Sequence, residues 1–110
     1  MIRTVTLVLD HRASINHFRS AFEKFVSNDA RVIKKEEAAT EVIDHDRDGL
    51  HLRFKMHTRG PDEGWAAALD AREFLLKLAA NLEEETGKPY LPVERELQVI
   101  SNREGLAKQT

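Results

Sequence analysis

The residues of this 110-residue chain that could do chemistry are five histidines, many carboxylates and a few serines. His51 and His57 share one face of an alternating segment, but six residues of strand hold them roughly 20 Å apart, too far to share one metal ion. His11 and His17 stand at the start and first turns of a helix, with no second pair at ligand spacing, and His45 lies alone in a strand. All five read as solvated or charge-paired, so no metal and no cofactor is expected. Glu36-Glu37 and Glu83-Glu84-Glu85 look like solvated runs, and no carboxylate pair sits in an apolar pocket that would shift a pKa for acid–base work. Ser14 is most simply a helix cap. Ser20, Ser27 and Ser101 lie in no nucleophile turn, and the five glycines form no phosphate-cradling loop. The absence of cysteine removes disulfides, thiol nucleophiles and thiolate metal sites, and fits a reducing compartment. The chain does not read as an enzyme.

The segment 50–59 positions most of what is left. Leu50, Leu52, Phe54 and Met56 alternate with His51, Arg53, Lys55 and His57. A strand sends successive side chains to opposite faces, so this one has an apolar face and a basic face. It belongs to a sheet covered on one side only. The preceding strand, 40–46, joins it through a turn placed at Asp48-Gly49, a strong hairpin signal. That turn sets Asp46 opposite His51, Asp44 opposite Arg53 and Ile43 opposite Phe54, with Ile43 inward.

The other elements follow from periodicity and caps. Residues 2–10 read as a strand with Val5, Leu7 and Leu9 on one face. Ser14 opens a helix carrying Ile15, Phe18, Phe22, Phe25 and Val26 at helical spacing, ending near 27–29. Val32 and Ile33 can form a short extended piece. Gly60-Pro61 stops the strand, and Asp62 is placed as the cap of a long helix, about 63–86, whose apolar stripe includes Trp65, Leu69, Leu75, Leu76, Ala79 and Leu82. Trp65 is expected to pack against the sheet. Gly87 and Pro89 stop that helix. A last strand, about 94–100, puts Leu97 and Val99 inward, and 101–110 is a polar C-terminal tail. The order β-α-β-β-α-β predicts one α+β domain over 1–100. This is a ferredoxin-like two-layer sandwich whose antiparallel sheet runs 4-1-3-2, counting its strands along the chain.

Composition agrees with one globular domain: 41% hydrophobic and 33% charged residues. A net charge of −2 gives no whole-molecule attraction to nucleic acid or an anionic membrane. No apolar run is long enough to span a bilayer, and no signal peptide is visible. The open face carries Thr4, Thr6, His51, Arg53, Lys55 and His57, then Glu94, Glu96 and Gln98. It offers no aromatic on which a base could stack, which argues against RNA recognition. It does run from basic to acidic, and a two-signed face can pair with a copy of itself. His51, Arg53, Lys55, His57, Glu94 and Glu96 are therefore the candidate interface. The plainer alternative is a solvated face of mixed charge.

From Ile2 to about Ile100 the chain resembles the carboxy-terminal cytoplasmic α/β domain of small-conductance mechanosensitive ion channels. The resemblance is carried by Asp10 after the first strand, the hairpin, the strand 50–56, Asp62 and Trp65, the long helix, Gly87, and the step Pro89-Tyr90-Leu91-Pro92-Val93-Glu94-Arg95. The helix from Trp65 to Gly87 is about one turn longer than the family's. The resemblance implies a non-enzymatic vestibule and assembly domain on the cytoplasmic side of the inner membrane. It would be a heptamer in the complete channel, in contact with the membrane only through regions outside this chain. A different reading is a small-molecule, amino-acid-binding regulatory module of ferredoxin-like type. That type usually has a glycine in the first strand–helix turn, where this chain has Asp10-His11-Arg12-Ala13-Ser14.

Overall fold

The computed structural model describes residues 1–91 and shows an α+β fold. Two helices pack on one face of a four-stranded antiparallel sheet. Its elements are β1 (Ile2–Leu9), α1 (Ile15–Asn28), β2 (Val32–Ile33), β3 (Ala39–Asp46), β4 (Gly49–Thr58) and α2 (Pro61–Thr86), with a 3₁₀ turn at Lys35–Glu37. β4 is central. β1 pairs along its whole length on one side, while β3 and the two-residue β2 share the other. The expected strand at 94–100 and the tail lie outside the described residues.

β4 alternates as its sequence dictates: Leu50, Leu52, Phe54, Met56 and Thr58 are buried, and the four residues between them are half-buried on the far face. Its register with β1 sets Val5 against Phe54, Leu7 against Leu52 and Leu9 against Leu50, so both strands turn their apolar side chains the same way. Phe18, Phe22 and Val26 of α1 close over that surface, with the Phe22 and Phe54 rings edge to face at 5.2 Å. Each large side chain buried to this degree stabilises the fold by about 1.5–3 kcal/mol. Arg31 ties the helices together, pairing at 2.6 Å with Asp29, which follows α1, and at 2.8 Å with Asp70 on α2.

Several expectations need correction. The hairpin turns at Arg47-Asp48, not Asp48-Gly49, so Asp46 faces Gly49 and Asp44 faces His51. The turn is closed by the Asp48 amide donating to Asp46 Oδ1. At the hairpin end, Gly49 alone takes a positive φ (139°), and a Cβ there would overlap the Leu9 carbonyl. The glycine is needed where β1 runs close beside the hairpin end, not as a turn residue. A bulge between Val42 and Asp44 then shifts the register once more, so Thr40, not Ile43, faces Phe54, and Ile43 is exposed. Asp62 is not the cap of α2: Gly60 holds that place and Pro61 fills the first helical position. Ser14 does occupy the cap of α1, but its side chain makes no capping bond.

Trp65 is the largest departure, at 62% exposed. The face that α2 buries is a line of mostly small residues: Gly64, Ala67, Ala71, Leu75, Ala79 and Leu82. At Gly64 a Cβ would overlap the Thr58 hydroxyl and crowd Arg3. The helix lies so close to β4 and β1 that only small side chains fit its first turns, and that rotation carries Trp65 outward.

Gly49→Ala should lose about 2–4 kcal/mol of unfolding free energy in urea titrations, through backbone strain and overlap with Leu9. The hydroxyl of fully buried Thr58 has no hydrogen-bond partner among the described residues. Thr58→Val should therefore cost less than about 1 kcal/mol or stabilise, because it removes an unsatisfied group while keeping the shape.

Candidate functional site

The uncovered side of β4 presents His51, Arg53, Lys55 and His57, each half-buried and each within reach of a carboxylate. Arg53 donates to Glu41 at 2.9 Å, and Lys55 reaches the same carboxylate at 3.3 Å. His51 meets Asp46 at 3.0 Å, and His57 meets Glu37 at 3.1 Å. The register explains the sharing: Glu41 lies directly opposite Arg53 and diagonal to Lys55. The pairs expected from the hairpin sequence, Asp46 with an opposed His51 and Asp44 with Arg53, become a diagonal contact and no contact respectively. On the β1 side the same row borders Thr4, Thr6 and Val8. The face thus runs from acidic (β3 and the 3₁₀ turn) through basic (β4) to uncharged (β1). Glu94 and Glu96, the acidic half of the expected interface, lie outside the described residues.

These contacts set proton affinities. Hydrogen bonds from Arg53 and then Lys55 hold Glu41 below its ordinary value of 4.5. The hydrogen bond from His51 does the same for Asp46, helped by the Asp48 and Gly49 amides. At the end of β1, burial pushes Asp10 upward, but hydrogen bonds from the Arg12 side chain and amide outweigh it and leave the carboxyl low.

The hairpin end brings together groups that lie apart in the chain. His11 Nδ1 and His45 Nε2 are 2.9 Å apart, so one imidazole donates and the other accepts, and the two facing nitrogens hold one proton between them. Thirty-four residues separate them. The only trace in the sequence is topological: Leu9 pairs with Leu50, which pairs with His45, and His11 follows two residues later. On the other face Asp46, Asp48 and His51 offer ligand atoms all within 4.8 Å of one another, a geometry able to take a cation. Asp46 Oδ1 is engaged already, accepting from both the Asp48 amide and His51. His17 stands apart, its ring edge-on to Tyr90.

Chemically, the face offers a row of basic groups beside a row of carboxylates, with hydrogen-bonding groups at β-sheet spacing. Because Glu41 and Asp46 are more acidic in the fold than in the unfolded chain, their contributions are complete above their unfolded values and are lost as pH falls through the folded ones. Stability in urea should hold from neutral pH down to about 5 and decline below about 4.5. Glu41→Gln, which leaves Arg53 and Lys55 without their shared anion, should lower stability at neutral pH and flatten that decline, and 0.5 M salt should shrink the difference. No family model, no curated protein and no solved structure matches this chain.

Proposed function

We propose that the domain is a non-enzymatic assembly module that meets its partners through the open sheet face. One observation carries the reading: His51, Arg53, Lys55 and His57 stand in a row on a face that neither described helix covers, each held in place by a carboxylate and each still partly exposed. Charges pinned in this way lose little side-chain entropy when a complementary surface arrives, so they give orientation and specificity. The setting that the family resemblance supplies is the cytoplasmic vestibule of a mechanosensitive channel, built from several copies of the domain. None of the described helices is long and apolar enough to cross a membrane, so contact with one would come from other segments. For an amino-acid-binding module, the first strand–helix turn would have to stay open. Instead, Asp10 accepts there from the Arg12 amide and side chain.

The reading includes a ferredoxin-like plait, with 94–100 added antiparallel to the outer edge of β1 in the order 4-1-3-2. Its support is the Asp10 amide donating to the Tyr90 carbonyl at 2.9 Å, a bond between the end of β1 and the chain leaving α2. The Met1–Thr58 bonded pair sets the phase of the β1–β4 ladder, so the amides of Thr4, Thr6 and Val8 face away from β4. Hydrogen exchange should find those three as protected as the amides of β4, and fast exchange at all three would remove the plait.

For the assembly reading, light scattering on a longer chain that includes the preceding segments should show several copies. Arg53→Glu with Lys55→Glu should break the assembly, and a monomeric longer chain would count decisively against the reading.

A further inference from the structure

The histidine pair at the hairpin end can do more than share a hydrogen bond. His11 Nδ1 and His45 Nε2 face each other at 2.9 Å, with the ring centroids 5.1 Å apart and the ring planes inclined by 36°. Both side chains are exposed, so an ion can reach the two nitrogens from solvent.

The backbone beneath them is fixed. His11 sits in the turn that follows β1. There the Arg12 amide donates to the Asp10 side chain, the Ala13 amide to the Asp10 carbonyl, and the Asp10 amide to the Tyr90 carbonyl. His45 is held in β3 opposite Leu50, which pairs on its other side with Leu9. Two imidazoles carried on ordered backbone need little reorganisation to hold one ion. Negative charge adjoins both rings: the Asp10 carboxylate lies within electrostatic reach of His11, and that of Asp44 accepts from the His45 amide.

The spacing selects among ions. Imidazole nitrogens bind first-row divalent metals at about 2.0–2.1 Å. A cation equidistant from two nitrogens 2.9 Å apart then subtends an angle of about 90° between them. The tetrahedral angle that zinc prefers would need the nitrogens about 3.3 Å apart. Neighbouring corners of a square-planar or tetragonal site meet at a right angle, which is the habit of copper(II) and nickel(II), and copper(II) binds nitrogen ligands the more tightly of the two.

We infer that His11 and His45 form a copper(II) site, a two-imidazole chelate that ties the turn after β1 to β3 across the end of β4. Water completes the coordination, since both rings face solvent. Binding displaces the single proton between the facing nitrogens. When both rings are neutral, the ring that gave it up carries it on the outer nitrogen instead, Nε2 of His11 or Nδ1 of His45. When one ring is charged, one proton leaves to solvent. The site is independent of the assembly reading, which rests on Arg53 and its neighbours.

The full 110-residue chain, titrated with copper(II) chloride near neutral pH in a buffer that does not bind copper, tests this. Calorimetry should show a first equivalent with a dissociation constant below about 100 µM. Electron paramagnetic resonance of that equivalent should show two nitrogen ligands. His11→Gln and His45→Gln should each weaken it at least about tenfold, because either change destroys the chelate, and each should remove one nitrogen from the spectrum. His17→Gln and His51→Gln should stay within about twofold of the starting affinity, as should Arg53→Glu with Lys55→Glu. Zinc chloride should bind at least about tenfold more weakly than copper. Circular dichroism on each variant checks that the fold is intact, and both paired histidines are exposed enough for their replacement to be tolerated.

No binding below about 100 µM, or a first equivalent with fewer than two nitrogens, would overturn the inference. So would an affinity that ignores His11 and His45, one that falls equally in the His17 or His51 variant, or zinc held as tightly as copper.

Discussion

Strict two-residue alternation along β4 is the constraint on which the rest of the structure hangs. Its even-numbered side chains must be dried and its odd-numbered ones must stay wet, so one side of the sheet takes both helices and the other is left open by the described elements. Because β4 is central, β1, β3 and β2 inherit that choice through their registers. A slip of one residue would send Phe54 to solvent and Arg53 into the core, so the alternation also protects the pairing from error.

A second constraint comes from backbone proximity. Gly49 lets β1 run close beside the hairpin end, and Gly64 lets α2 approach Thr58 and Arg3. The first joins the end of β1 to the tip of the hairpin and so brings His11 to His45. The second turns α2 about its axis until small residues meet the sheet and Trp65 meets water. The two notable surfaces of the domain, the hairpin end and the α2 stripe, therefore follow from places where a side chain would not fit.

The two faces differ in physical character. The open sheet face is polar, and its charges are pinned by neighbours on the adjoining strand. Such a surface discriminates between partners more than it drives binding, because exposed ion pairs contribute little net free energy. The outward side of α2 is apolar around Trp65 and Leu69, a composition that supplies attraction through burial. A domain with one surface of each kind, on opposite sides, can make two kinds of contact without competition between them.

Local periodicity alone was enough for the class of fold: the apolar faces of β1, β4 and α1, the ends of α1, the stop at Gly87 and the short strand at Val32–Ile33 could all be read from the chain, because each depends on neighbours a few residues away. The basic row of the candidate site was legible for the same reason. Its partners were not. Glu41 replaced Asp44 opposite Arg53 because the turn formed one residue earlier than Asp48-Gly49 suggested, which shifts the register by two, and a bulge intervened; neither event has a strong local signature. Trp65 was misread because α2 has enough apolar residues for two stripes, and hydrophobicity by itself cannot say which one a sheet will take. Only packing distance decides that, and here it favours glycine and alanine over tryptophan. The His11–His45 contact belongs wholly to the tertiary structure, since it requires three strands in register before the two rings can meet.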